Sequence, residues 1–131
     1  MNRRENQFKT RLSKSKKILL VDDEKDLCSI MKEIIRDAGH RFLWATTVIE
    51  GLKKFKKSRD LDMVIVDLKL GHDNGLTFIR KAIAINNKVK FAMISAYGNP
   101  EVKDKARQLG VSRFLDKPLR LEGLLEIIKQ N

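Results

Sequence analysis

The sequence predicts an α/β fold: a doubly wound, five-stranded parallel sheet with helices packed on both faces. Three observations carry that prediction. Short apolar runs rich in β-branched residues recur along the chain, as strands buried on both faces require. Stretches with apolar residues at helical spacing separate them, so strand and helix alternate five times. The connections are short, and 131 residues with a 42% hydrophobic share suffice for one domain with a proper core.

Residues 1–16 are polar, basic and aperiodic apart from Phe8 and Leu12, and are expected to form a flexible tail or a short helix. The domain itself is expected over 17–131. Ile18 to Val21 is the first strand and runs into Asp22, Asp23 and Glu24. From Asp26 onward, Leu27, Ile30, Met31, Ile34, Ile35 and Ala38 mark a helix, and Gly39 stops it. Phe42 to Ala45 is the second strand. Thr46 or Thr47 can cap the helix after it, which carries Val48, Leu52 and Phe55. Residues 62–66, with the apolar run Met63 to Val66, are the third strand, followed by Asp67 and a loop from Leu68 to Asn74. Gly75 opens a helix with Leu76, Phe78, Ile79, Ala82 and Ile83 on its apolar side. The fourth strand, Val89 to Ile94, ends in Ser95-Ala96-Tyr97-Gly98. Asn99-Pro100 then supplies a cap and a first-position proline for a helix reaching Leu109-Gly110. Val111 to Leu115 is the fifth strand, closed by Asp116-Lys117-Pro118, and Leu121 to Ile128 is a final amphipathic helix.

Composition narrows the function classes. No apolar run approaches the roughly 20 residues of a membrane span, and the N-terminus has no apolar signal core. Cys28 is the only cysteine, which rules out an internal disulfide or a cysteine metal cluster and favours a reduced, cytoplasmic setting. The net charge of +11 is uneven: residues 1–17 hold seven basic side chains against Glu5. Lys53, Lys54, Lys56 and Lys57 fall on the solvated side of one expected helix. Phe8 and Phe55 are the only aromatics among these charges and no recognised nucleic-acid motif appears, so the charges raise non-specific attraction without naming a nucleic-acid partner.

Asp67 alone could be a cation ligand, a nucleophile or an exposed turn former. Its company narrows the choice. The first strand ends in Asp22 and Asp23, the third in Asp67, the fourth in Ser95 and the fifth in Lys117. In a sheet ordered 2-1-3-4-5 these ends are neighbours, although the order itself is not read from these residues. Crowded carboxylates resist ionising unless a cation compensates them, and oxygen ligands suit a hard ion such as Mg²⁺. A lysine ammonium and a serine hydroxyl opposite them suit the remaining oxygens of a phosphoryl group. The set reads as a phosphoryl-transfer site with Asp67 as covalent nucleophile. Plainer readings stand beside it: Asp22-Asp23-Glu24 as a helix cap, Ser95 as a turn former and Phe114 as core. His40 and His72 are expected to be isolated and exposed, and Cys28 and Trp44 to be packing residues.

Five motifs in order, ILLVDDE, IVDLKL, Gly75, ISAYG and FLDKP, resemble the CheY-like receiver domains of bacterial two-component response regulators. The resemblance covers residues 17–131, and the stretches SAYG and KPLRLEGLLEIIK look similar to those of NtrC-type receivers. It implies a flavodoxin-like (CheY-like) sheet in the order 2-1-3-4-5. It implies that Asp67 accepts a phosphoryl group from a sensor histidine kinase or phosphotransfer protein. Asp22, Asp23, Asp67 and the backbone carbonyl of Lys69 would hold Mg²⁺ or Mn²⁺, and Ser95 and Lys117 would bind the phosphoryl oxygens. A cis Lys117–Pro118 bond is a family habit. Ser95 and Phe114 would form the switch pair that alters the face of the fourth helix, fifth strand and fifth helix, acting on a downstream protein, an output domain or a dimer partner.

The chain departs from the family at three places. Gly71 replaces the usual proline four residues after the acceptor, which should loosen the loop from Lys69 to Asn74. Phe114 replaces the commoner tyrosine and lacks its hydroxyl. Lys69 stands where family side chains flank incoming water, so Lys69→Ala should alter the phosphoryl lifetime. The resemblance implies a signalling module and not a turnover enzyme, with no effector domain after the last helix, so a stand-alone receiver or a piece of a longer regulator. Rival readings are a Mg²⁺-dependent aspartyl-nucleophile phosphatase of haloacid dehalogenase type, which wants an acid where Lys69 stands, and a dinucleotide-binding domain, which wants glycines after the first strand. A third is a basic nucleic-acid-binding protein, testable by the salt slope of DNA binding with and without residues 1–16.

Overall fold

The computed structural model describes residues 15–96 and 100–129. The tail expected over 1–16, as far as residue 14, lies outside the described residues, as do Tyr97, Gly98 and the cap expected at Asn99. Five parallel strands form one sheet: β1 (Lys17–Val21), β2 (Arg41–Ala45), β3 (Met63–Asp67), β4 (Lys90–Ser95) and β5 (Arg113–Asp116). Their order is β2-β1-β3-β4-β5, with the reversal point between β1 and β3. Among the described residues five helices connect and cover them: α1 (Lys25–Asp37), α2 (Val48–Lys57), α3 (Gly75–Ile85), α4 (Pro100–Leu109) and α5 (Leu121–Lys129). Among the described residues no helix is long and apolar enough to cross a membrane.

The sheet separates two apolar layers because successive strand side chains alternate between its faces. One layer joins Ile18, Leu20, Ile65, Ile94 and Leu115 to Cys28, Met31 and Ile35 of α1 and to Leu124 and Ile127 of α5. The other joins Leu19, Val21, Val64, Val66, Phe91 and Met93 to α2, α3 and α4 through Phe55, Phe78, Ile79 and Ala106. There Phe55 meets Phe78 edge-on, with centroids 6.2 Å apart at 88°. Burial on both faces is why β1 and β3 are almost wholly apolar.

The structure corrects several expectations. The stretch from Leu68 to Asn74 is not plain loop: Lys69–Leu70 and Asp73–Asn74 form a small antiparallel ladder that turns at Gly71, whose φ of +58° suits glycine. β5 starts at Arg113 and not at Val111, because the Val111 N–H is still engaged at the end of α4, donating to Ala106 O at 3.0 Å. Thr47 is the cap of α2, its Oγ1 accepting from Glu50 N at 3.1 Å. His40 is half-buried, not exposed, and its Nδ1 accepts from Lys16 N at 3.0 Å. His72 is exposed as expected. Lys54 is also half-buried, paired with Glu50 at 3.0 Å, while Lys53, Lys56 and Lys57 face solvent.

Candidate functional site

The strand order sets the carboxyl ends of β1, β3, β4 and β5 side by side, and the two-residue period decides which side chains meet there. Asp22, Asp67 and Lys117 each follow by two residues a member of the α1–α5 layer: Leu20, Ile65 and Leu115. Ser95 instead follows Met93 of the opposite layer, and Met93 lies opposite Phe114 in the ladder. Ser95 and Phe114 therefore share a face of the sheet. Asp67, Ser95 and Lys117 line a cleft of about 650 Å³ together with Asp23, Glu24, Lys69 and Val102.

Asp67 is only 3% exposed, which removes the exposed-turn reading. Its Oδ1 accepts the backbone N–H of Lys69 at 3.1 Å, and its Oδ2 accepts from Lys117 Nζ at 2.8 Å. The same ammonium donates to Glu24 Oε1 at 2.8 Å. Burial by itself would lower the Lys117 pKa, but the hydrogen bonds to Asp67 and Glu24 outweigh it and raise it. Lys117 is thus a fixed positive charge at the cleft.

Asp22 is fully buried. Its Oδ1 accepts from Glu24 N at 2.8 Å, and its Oδ2 has no hydrogen-bond partner among the described residues. Burial pushes the carboxyl up to about 7, and the charge of Asp67 adds to that, against the Glu24 amide and Lys117. Carboxylate oxygens of Asp22, Glu24 and Asp67 lie within 4.8 Å of one another. A buried orphan oxygen within an all-oxygen donor set fits a hard divalent cation, which would return Asp22 to its ionised form.

Asp23 does not join this trio. It is exposed on the cleft rim, and Glu24 takes the third place. Sequence reasoning used Glu24 only as a possible cap. Glu24 does stand at the cap position of α1 but makes no side-chain capping bond, and turns to Lys117 instead. Its place directly after two acids was the only available signal.

Gly75 makes the arrangement possible from below: a Cβ there would stand 2.3 Å from Asp67 O, so only glycine lets α3 begin against the end of β3. Ser95 is buried at the end of β4. Phe114 is half-buried, with Arg107 5.0 Å and Lys103 5.8 Å from its ring centroid. The Lys117–Pro118 peptide is cis. Cys28 and Trp44, expected only to pack, also bond to the Asp22 carbonyl.

Residues 18–129 match the response regulator receiver domain family. The chain belongs to that family. The receiver domain is 29% identical over 114 residues to chemotaxis protein CheY of Treponema pallidum, covering 86% of this chain and 79% of that one. It is 22% identical over 116 residues to sporulation initiation phosphotransferase F of Bacillus subtilis, covering 88% and 93%. A CheY-like receiver domain structure from Methanospirillum hungatei superposes with a TM-score of 0.83 at 28% identity, covering 89% and 93%. Receiver domains are signalling parts of two-component systems, not turnover enzymes in the ordinary sense. Membership displaces the phosphatase and dinucleotide readings.

Proposed function

We propose that this receiver domain accepts a phosphoryl group on Asp67 from a histidine kinase or phosphotransfer protein and uses it to change a surface read by a partner or output domain. The observation that carries the proposal is the Lys117 ammonium 2.8 Å from Asp67 Oδ2, beside the buried Asp22, one of whose oxygens has no partner among the described residues. An Asp67 oxygen forms the new P–O bond while the donor's P–N bond breaks, its electron pair leaving with the donor imidazole. Lys117 stays protonated and neutralises charge on the incoming phosphoryl oxygens. The Ser95 hydroxyl donates to another of them. Asp22 and Asp67, with Asp23, Glu24 and the Lys69 carbonyl around them, would hold Mg²⁺ or Mn²⁺. That ion, when bound, supplies the positive charge that lets a phosphoryl group approach a nest of acids.

The readout would pass through the shared face of Ser95 and Phe114. A hydroxyl drawn toward the phosphoryl group vacates space that Phe114 can enter, and this shifts the surface of α4, β5 and α5. The test is incubation with acetyl phosphate and Mg²⁺, followed by intact-mass measurement. One added phosphoryl group on the natural chain and none on Asp67→Ala is the expected result. Equal labelling of both proteins would overturn the assignment.

A further inference from the structure

We infer that Trp44 is a positioning residue for the acidic cleft: its indole holds the peptide from which Asp22 and Glu24 present their carboxylates. The inference rests on the proposed reading of the cleft as a cation site. Val21 and Ala45 are the last register pair between β1 and β2, so Asp22 has already left the ladder. Its backbone is nevertheless fixed from both sides. The Asp22 N–H donates to Ala45 O at 3.0 Å, and the Asp22 carbonyl accepts Trp44 Nε1–H at 2.9 Å. The Cys28 thiol approaches the same carbonyl at 3.6 Å.

Trp44 is itself anchored. Its carbonyl accepts from Lys54 Nζ, Lys54 pairs with Glu50 at 3.0 Å, and Glu50 Oε2 takes the Thr46 hydroxyl at 3.3 Å. The end of β2 is thus tied to α2 and in turn ties down Asp22. The orientation of the Asp22–Asp23 peptide sets where Glu24 N meets Asp22 Oδ1, at 2.8 Å, and which oxygen of Asp22 is left over. Support of this kind, acting on a ligand and not on the ion, is a recurrent determinant of metal affinity.

Trp44→Phe keeps an aromatic ring in the α1–α5 layer and removes the N–H together with the fused five-membered ring, a loss of packing that the Phe42→Leu comparison below accounts for. Calorimetric titration of the full chain with Mg²⁺ should then show about tenfold weaker binding, the scale expected when a bond that orients a metal ligand is lost. Trp44 is the only tryptophan, so in the natural chain its emission should change along the same Mg²⁺ curve. Phe42→Leu trims the same strand and layer without touching Asp22, and should lower the urea midpoint while leaving Mg²⁺ affinity intact. Unchanged affinity in Trp44→Phe, or equal weakening in Phe42→Leu, overturns the positioning role. A natural chain that binds no Mg²⁺ overturns the cation-site reading beneath it. If Trp44→Phe does not fold, the emission decides: a flat signal through a saturating calorimetric titration rejects the role, and a parallel one sustains it.

Discussion

Lys117 and Glu24 show how few side chains set the charge of the cleft. One ammonium serves two carboxylates at 2.8 Å each, on a chain where Asp22 keeps an oxygen with no partner among the described residues. The side chains of the cleft are therefore short of positive charge, a shortage that a divalent ion would remedy. Lys69 has its backbone N–H on Asp67 Oδ1 while its side chain is exposed at the cleft edge. Removing that side chain opens Asp67 to water, so if Asp67 takes the phosphoryl group as proposed, Lys69→Ala should shorten the phosphoryl lifetime severalfold. The decay rate of labelled protein checks this, and an unchanged rate counts against it. Gly75 is constrained by contact with backbone, which cannot yield as a side chain can. Gly75→Ala should destabilise the protein by roughly 1–3 kcal/mol, read as a lowered urea midpoint.

At the scale of elements, the strands deliver chemistry by parity. A residue two beyond a buried Leu20, Ile65 or Leu115 arrives on the same side of the sheet, and the parallel order brings those three arrivals together. A one-residue slip of β5 would send Lys117 to the other face and Asp116 into its place. The helices depend on local capping. Thr47 accepts Glu50 N at 3.1 Å at the start of α2, the helix that also anchors Trp44 through Lys54. Thr47→Ala should cost about 1 kcal/mol in urea unfolding. Thr47→Ser, which keeps the acceptor, should cost much less.

The whole molecule links its two ends of the sheet to solution conditions in different ways. At the carboxyl ends, a ligand that binds only the folded state stabilises it by mass action. Mg²⁺ at a hundred times its dissociation constant should add about 2.7 kcal/mol, visible as a higher melting temperature that Asp22→Asn abolishes. At the amino ends, His40 accepts from Lys16 N, and Lys16 Nζ reaches the Ile128 carbonyl at the end of α5. Burial, then the Lys16 charge, lowers the His40 pKa below its ordinary 6.5. The unfolded chain then binds the proton more readily, so this contribution to stability is full above 6.5 and is lost as pH falls through the lowered folded value. Urea midpoints should drop on acidification from pH 7.5 to 5.5 in excess of His40→Gln, and parallel curves would refute the linkage.

The sequence by itself determined the alternation of strand and helix, the acids at the strand ends and the lysine that answers them. It could do so because apolar period and turn chemistry are local properties of the chain. The resemblance to receiver domains, and not the periodicity, supplied the strand order. Only the tertiary structure decided that Glu24 and not Asp23 stands with Asp22 and Asp67, and that Trp44 braces the Asp22 peptide. Those outcomes depend on which distant groups a side chain meets once the sheet has closed up, and no local pattern in Asp22-Asp23-Glu24 or around Trp44 encodes such a meeting.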